Sequence, residues 1–267
     1  MTNLNGKTAL ITGSVQGIGL AIATEMAKAG ARIAVHGIAG DAQIDAACKS
    51  LCNAGAPQAK FFGADMQYPD QIADLMRGVT NWGGADILVN NAGIQHVQPI
   101  ESMPTNKWDA ILAINLSAAF HTMQHAMPIM AERGYGRVVN ISSVHGLIAS
   151  PEKAPYTAAK FGLIGLSKVG ALEYAQSGSR ESGGVTVNCI CPGWTETEII
   201  EPQIAARSQM LGVDRQGAIS DLLSEKQPSR RTNTPQEIGA LAVWLCSTAA
   251  HNITGTSIPM DGGWTSQ

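Results

Sequence analysis

Several features that would have settled the function of this chain at once are missing from it. No apolar run reaches the ~18 residues of a membrane-spanning helix. Lys160, Lys168 and Glu173 interrupt the most hydrophobic stretch, so no membrane partner is expected. Basic clusters are almost absent, with 18 Lys and Arg against 21 Asp and Glu, a net charge of −3, and Arg230-Arg231 as the longest run. A nucleic acid would find no electrostatic footprint. Residues 1–7 (MTNLNGK) lack a basic region followed by an apolar one, so no signal peptide is read and a cytoplasmic location is expected. The five cysteines are odd in number and include no C-x-x-C pair, which points to reduced thiols. Cys189 and Cys191 alternate in an apolar run and read as buried packing. His121 and His125 stand four apart but lack the glutamate of H-E-x-x-H and an evident third ligand, so no metal is expected.

What is present is the composition of a folded chain, 45% hydrophobic and only 15% charged over 267 residues, which excludes disorder as the main state. Short β-branched runs alternate with longer amphipathic segments. Strands are expected at 8–11, 32–36, 59–63, 87–90, 136–142, 186–191 and 257–260, and helices at 18–29, 41–54, 69–80, 105–133, 154–174 and 235–247. Strands apolar on both faces belong inside a parallel sheet covered on each side. The expected fold is therefore α/β, one doubly wound parallel sheet of Rossmann type spanning 1–267. The polar, glycine-rich stretch 175–184 reads as a surface loop. Residues 196–231 hold two short helices separated near Gly212 and ended by Pro228. They follow the sixth strand and so border the ligand crevice, as a lid over substrate would.

Thr12-Gly13-Ser14-Val15-Gln16-Gly17-Ile18-Gly19 lies directly between the first strand and the first helix. Glycines at 13, 17 and 19 permit a tight turn whose amides, with the helix terminus, suit a pyrophosphate. Further along come Asn90-Asn91-Ala92-Gly93 after the fourth strand, Asn115 in the next helix and Ser143 after the fifth strand. Tyr156-Thr157-Ala158-Ala159-Lys160 and Cys191-Pro192-Gly193 complete the set. In this order, along nearly the whole chain, the motifs resemble the short-chain dehydrogenase/reductase family.

That resemblance implies hydride transfer with a nicotinamide cofactor and assigns roles. Tyr156 is the general base or acid, Lys160 binds the nicotinamide ribose, Ser143 bonds the substrate oxygen and Asn115 supports a proton-relay water. Gly13, Gln16, Gly17, Ile18 and Gly19 would hold the phosphates, with Asp65 and Met66 at the adenine. Asn91, Ala92, Gly93, Pro192, Gly193, Trp194 and Thr195 would line the rest of the cofactor site. The residues themselves support part of this: Tyr156 and Lys160 share a helix face, and a nearby ammonium lowers the tyrosine pKa from about 10. The strand end Val35-His36-Gly37-Ile38 offers neither the acid that binds a ribose 2′-hydroxyl nor a base for a 2′-phosphate, and with no positive charge in the turn, NAD is the expected cofactor.

Closer matching, through Gln95-His96, Ser143-Val144-His145-Gly146, Cys191-Pro192-Gly193-Trp194, residues 225–229 (EKQPS) and Asp261-Gly262-Gly263-Trp264, is similar to the bacterial D-3-hydroxybutyrate dehydrogenases. This resemblance implies that Gln95, His145, Lys153 and Gln203 hold a small carboxylate substrate, with Trp194 and Trp264 walling its apolar end. A lysine charge with amide and imidazole hydrogen bonds suits such an anion. It further implies a homotetramer with 105–133 and 154–174 at one interface. The alternatives are an NADP-dependent 3-oxoacyl thioester or sugar reductase, or a catalytically silent nucleotide-binding module. Residues 208–220 carry no subfamily signature, which leaves a related 3- or 4-oxo acid open.

Overall fold

The computed structural model describes residues 2–197 and 200–266. Seven parallel strands form one sheet: β1 (Thr8–Ile11), β2 (Arg32–Val35), β3 (Ala59–Phe61), β4 (Ile87–Asn90), β5 (Tyr135–Ile141), β6 (Gly184–Pro192) and β7 (Ser257–Met260). Their spatial order is β3-β2-β1-β4-β5-β6-β7. The direction of winding reverses between β1 and β4, and the crevice above that switch point is where such sheets bind ligands.

Strict alternation along the central strands explains the two-sided core. Ala9, Ile11, Ile33, Val35, Ile87 and Val89 face one layer. Leu10, Ala34, Leu88 and Val138 face the other. Both sets are buried, so each strand is apolar throughout. Helices α1 (Gly17–Lys28), α2 (Asp41–Ala54) and α9 (Pro235–Leu245) cover the first face. The second is covered by α3 (Pro69–Asn81) and by the helical segment that precedes β5. Pro69 and Pro235 occupy first helical turns, where the missing amide is harmless.

One expected element is corrected. The segment 105–133 is not a single helix: α4 (Thr105–Leu112) and α5 (Ala118–Glu132) are joined by a π-helical turn, Ala113–Ser117. The cause sits inside the turn, where Asn115 clasps the backbone of Ile94. Its Oδ1 accepts the Ile94 amide and its Nδ2 donates to the Ile94 carbonyl, both at 2.9 Å. A widened turn accommodates that local demand, which hydrophobic spacing does not register.

After β5 comes α6 (Ala154–Glu173), and after β6 come α7 (Glu201–Leu211) and α8 (Arg215–Lys226). The last two pack on each other through Ile204, Ala218, Ile219 and Leu223. Arg207 pairs with Asp221 and Glu225 across them. Gly212, with φ +65°, ends α7, and the Asp214 side chain caps α8 through the Gly217 amide. Of the expected lid, Glu198 and Ile199 lie outside the described residues. The loop 175–184 leads into the amino end of β6, away from the crevice.

Candidate active site

The glycine turn is shaped by contacts no larger residue would permit. Gly13 and Gly17 have φ of +65° and +57°. A Cβ at Gly19 would fall 2.1 Å from the Gly13 carbonyl oxygen and 2.5 Å from Asn91 Nδ2. Asn91 secures the turn from β4, its Nδ2 donating to the carbonyls of Thr12 and Gly13 at 2.9 and 3.1 Å. Gln16 makes no side-chain cap on α1, so the orphan amides of the first turn remain for a ligand. The cradle fits a dinucleotide pyrophosphate: amides and a helix N-terminus without a competing carboxylate.

From there the cleft runs past Gly37 and Ile38 on one side and Asn91, Ala92 and Gly93 on the other, to Ser143, Tyr156 and Lys160, and then to Pro192, Gly193, Trp194 and Thr195. Gly13, Gln16, Gly17 and Ile18 line its floor. Gly19 lies beneath rather than in it, and Asn115 stands behind it with Met66 and Lys160 around a small cavity. Asp65 is not among the lining residues. Its carboxylate accepts the Gln67 amide at 2.9 Å, tying down the local turn ahead of α3.

Ser143 follows β5 and caps a short turn, its Oγ accepting the His145 amide at 3.1 Å. Tyr156 and Lys160 project from the first turns of α6. The Lys160 ammonium is buried, donates to the Ile141 carbonyl at 2.7 Å, and lies 5.6 Å from the centre of the Tyr156 ring. Burial holds its pKa down to about 8. The expectation that Lys160 pulls the tyrosine pKa down is corrected: burial pushes Tyr156 above its ordinary value, and only the hydrogen bond with Ser143 acts the other way. Desolvation of the phenolate outweighs a lysine whose charge is directed at a backbone carbonyl.

At the far end, four of the substrate candidates converge. Lys153, the N-cap residue of α6, donates to Gln203 Oε1 at 3.2 Å and approaches His145 Nε2 at 3.4 Å. Gln95 lines the same wall, and its Nε2 is buried without a partner. Trp194 and Trp264 stack with ring centres 6.4 Å apart, His145 meeting Trp264 edge-on. The Trp194 indole nitrogen is also buried and unpartnered. No aspartate or glutamate lines this cleft among the described residues, so two lysines set its charge. Burial and the Lys226 ammonium lower Lys153 to about 8, and burial with both lysines lowers His145 to about 3.

Lys226 is a group the sequence reading missed. The last residue of α8 donates to Ser150 Oγ at 3.2 Å and sits 5.5 Å from the Trp264 ring. The signal that could have found it was its place in the EKQPS match at 225–229, within the expected lid segment.

A phosphate cradle at the switch point, leading to a serine, a tyrosine and a buried lysine, defines a dinucleotide-dependent oxidoreductase. Residues 7–208 match the family model described as short chain dehydrogenase, and the chain belongs to that family. It is 51% identical to a D-beta-hydroxybutyrate dehydrogenase of Cupriavidus necator, over 99% of this chain and 100% of that one. A protein of the same name from Rhizobium meliloti is 45% identical, over 98% of this chain and 99% of the relative. Among solved structures, L-sorbose reductase from Gluconobacter frateurii, complexed with NADPH and L-sorbose, superposes with a TM-score of 0.90. It is 30% identical, with 98% of this chain and 97% of that one covered.

Proposed function

We propose that the protein is an NAD-dependent dehydrogenase interconverting D-3-hydroxybutyrate and acetoacetate. The observation that carries this reading is the Lys153, His145 and Gln203 cluster, with the unpartnered Gln95 amide, beside Ser143 and Tyr156. Buried donors without partners are costly. A carboxylate placed among them satisfies Gln95 Nε2 and gives the Lys153 ammonium its counter-charge. The two relatives with that name, matched over their whole length, support the same substrate.

In the reducing direction the Tyr156 hydroxyl gives its proton to the substrate oxygen. In the oxidising direction Tyr156, once its own proton has left by the path that Asn115 supports, takes the substrate hydroxyl proton. Ser143 Oγ bonds the same substrate oxygen in both. When bound in the crevice, the nicotinamide supplies the acceptor for the hydride. Gly13, Gln16, Gly17 and Ile18 would hold the phosphates of the dinucleotide. Lys160, charged below about pH 8, would bind its ribose, and the Ser143 hydroxyl is the group that favours the phenolate. Asn115, fixed by Ile94, orients the proton path behind the cleft. Trp194 and Trp264 confine the methyl end, and α7 with α8 forms the lid that brings Gln203 to the carboxylate. Preorganised donors at the developing charge are the largest part of such catalysis.

NAD is favoured over NADP because Gln16, Gly37 and Ile38, which line the adenosine end, carry no positive charge, and the cations lining the cleft, Lys153 and Lys160, stand at the other. An uncompensated 2′-phosphate there is disfavoured. Exposed apolar side chains on α5 and α6, among them Phe120, Phe161 and Leu172, are the faces on which a homotetramer would assemble. Five free cysteines suit a reducing cytoplasm.

Initial rates at 340 nm test this reading with NAD or NADP and a panel of D- and L-3-hydroxybutyrate and their methyl esters. The D-acid with NAD is the pair expected to turn over. Preference for the ester, or for a thioester with NADP, would replace the carboxylate clamp with the general reductase reading.

A further inference from the structure

At the end of β2, where a dinucleotide site commonly presents an acid to the adenosine ribose, this chain places His36. The side chain does not face the cleft. It is 2% exposed and turned inward under the glycine turn. The Gly13 amide donates to His36 Nδ1 at 3.1 Å, and His36 Nε2 lies 3.0 Å from the Ala64 carbonyl oxygen. These two partners fix the tautomer, because an amide can only donate and a carbonyl can only accept. Nδ1 carries the lone pair and Nε2 the proton. Burial lowers the pKa of the ring below its ordinary value, which keeps the lone pair in place.

The backbone of the same residue completes the connection. The Ser14 amide donates to the His36 carbonyl at 2.7 Å, and the His36 amide donates to Ser14 Oγ at 3.1 Å. Gly13 and Ser14 are therefore tied to His36, which reaches across to the loop after β3. With their amides engaged inward, the uncapped first-turn amides of α1 are left to face the crevice. Gly37 and Ile38 take over the lining of the adenosine end.

We infer that His36 is a positioning residue for the cofactor: its Nδ1, by holding the Gly13 amide, sets the conformation of the phosphate-binding turn and with it the affinity for the dinucleotide. The inference rests on the reading of this turn as a dinucleotide site.

Two substitutions separate the ring nitrogens. In His36→Asn the side-chain oxygen takes the place of Nδ1 and can still accept from Gly13. In His36→Gln the amide nitrogen takes the place of Nε2, keeping the Ala64 contact but losing the acceptor. NADH affinity, followed by nicotinamide fluorescence, is expected to stay within about threefold for the asparagine variant and to weaken about tenfold for the glutamine one, the worth of one buried hydrogen bond. The Michaelis constant for the acid should change by less than about twofold in both, since the bond acts on the turn alone. Equal NADH affinity in the two variants would overturn the inference, as it would show that only packing matters. Hydrogen exchange on the unmodified protein stands independently of variant folding: the Gly13 amide should be protected without ligand, and exchange at an open-loop rate would also overturn it. An unmodified protein that binds neither NADH nor NADPH would instead overturn the dinucleotide reading and the inference with it.

Discussion

Lys153 Nζ donates to Gln203 Oε1 over 3.2 Å, a single bond that joins the start of α6 to α7 and so connects the catalytic wall to the segment above it. Gln203 lies on a helix otherwise anchored to α8 by Ile204 and by the Arg207 ion pairs. The bond thus couples lid position to the charge that faces the substrate.

Removing that charge should be felt in substrate binding first. Lys153→Met is expected to raise the Michaelis constant for 3-hydroxybutyrate on the order of a hundredfold, as loss of a buried charged hydrogen bond does, and Gln203→Ala about tenfold. The double variant should fall short of the product of the two, because the residues share one contact. Steady-state kinetics with all three proteins decides this, and full additivity would mean that the two side chains act separately.

The lowered pKa of Lys153 gives the same contact a pH signature. Below about 8 the side chain is charged, and above it the charge is lost. The Michaelis constant for the acid should therefore be flat on the acid side and rise above that point by up to about tenfold per pH unit, with no matching rise in Lys153→Met. The carboxylate itself stays ionised across this range, so a flat profile in the unmodified protein would remove Lys153 from the clamp.

Gly19 has no freedom to change. Its added Cβ would lie 2.1 Å from the Gly13 carbonyl oxygen, on backbone that Asn91 also holds. Gly19→Ala should cost about 2–4 kcal/mol of stability and abolish measurable NADH binding, since overpacking against backbone cannot be relieved by a rotamer. Gly165→Ala is the control, inside α6 with nothing within 4 Å of the added atom, and is expected to be neutral or to stabilise by up to about 1 kcal/mol. Thermal melts of the two variants distinguish them, and similar losses would show that the turn yields.

The alternation of Ala9, Leu10 and Ile11, repeated in β2 and β4, makes the buried parallel sheet legible in the sequence, because side-chain direction in a strand follows residue number alone. The glycine spacing and the Tyr156 to Lys160 interval were legible for the same reason: both are local. Long-range competition was not. The π turn at Asn115 answers a contact with Ile94, 21 residues away. The upward push on Tyr156 comes from the walls of the cleft, and Lys226 approaches through a lid whose path spacing does not encode. His36 shows the same limit, since a reading of residue type at the end of β2 registers only that no acid is there.

Acid should destabilise the protein through His145. Its pKa is about 3 in the folded chain against 6.5 as its ordinary value. Between these values the unfolded chain binds a proton that the folded one does not, so stability present above about pH 6.5 is lost as pH falls towards 3. The slope is about 1.4 kcal/mol per pH unit for this one group. Thermal melts between pH 6.5 and 5, above the range where most carboxylates titrate, should show the decline in the unmodified protein and a shallower one in His145→Gln. Parallel slopes would mean that the imidazole takes up its proton in place, and that the two lysines beside it do not hold it neutral.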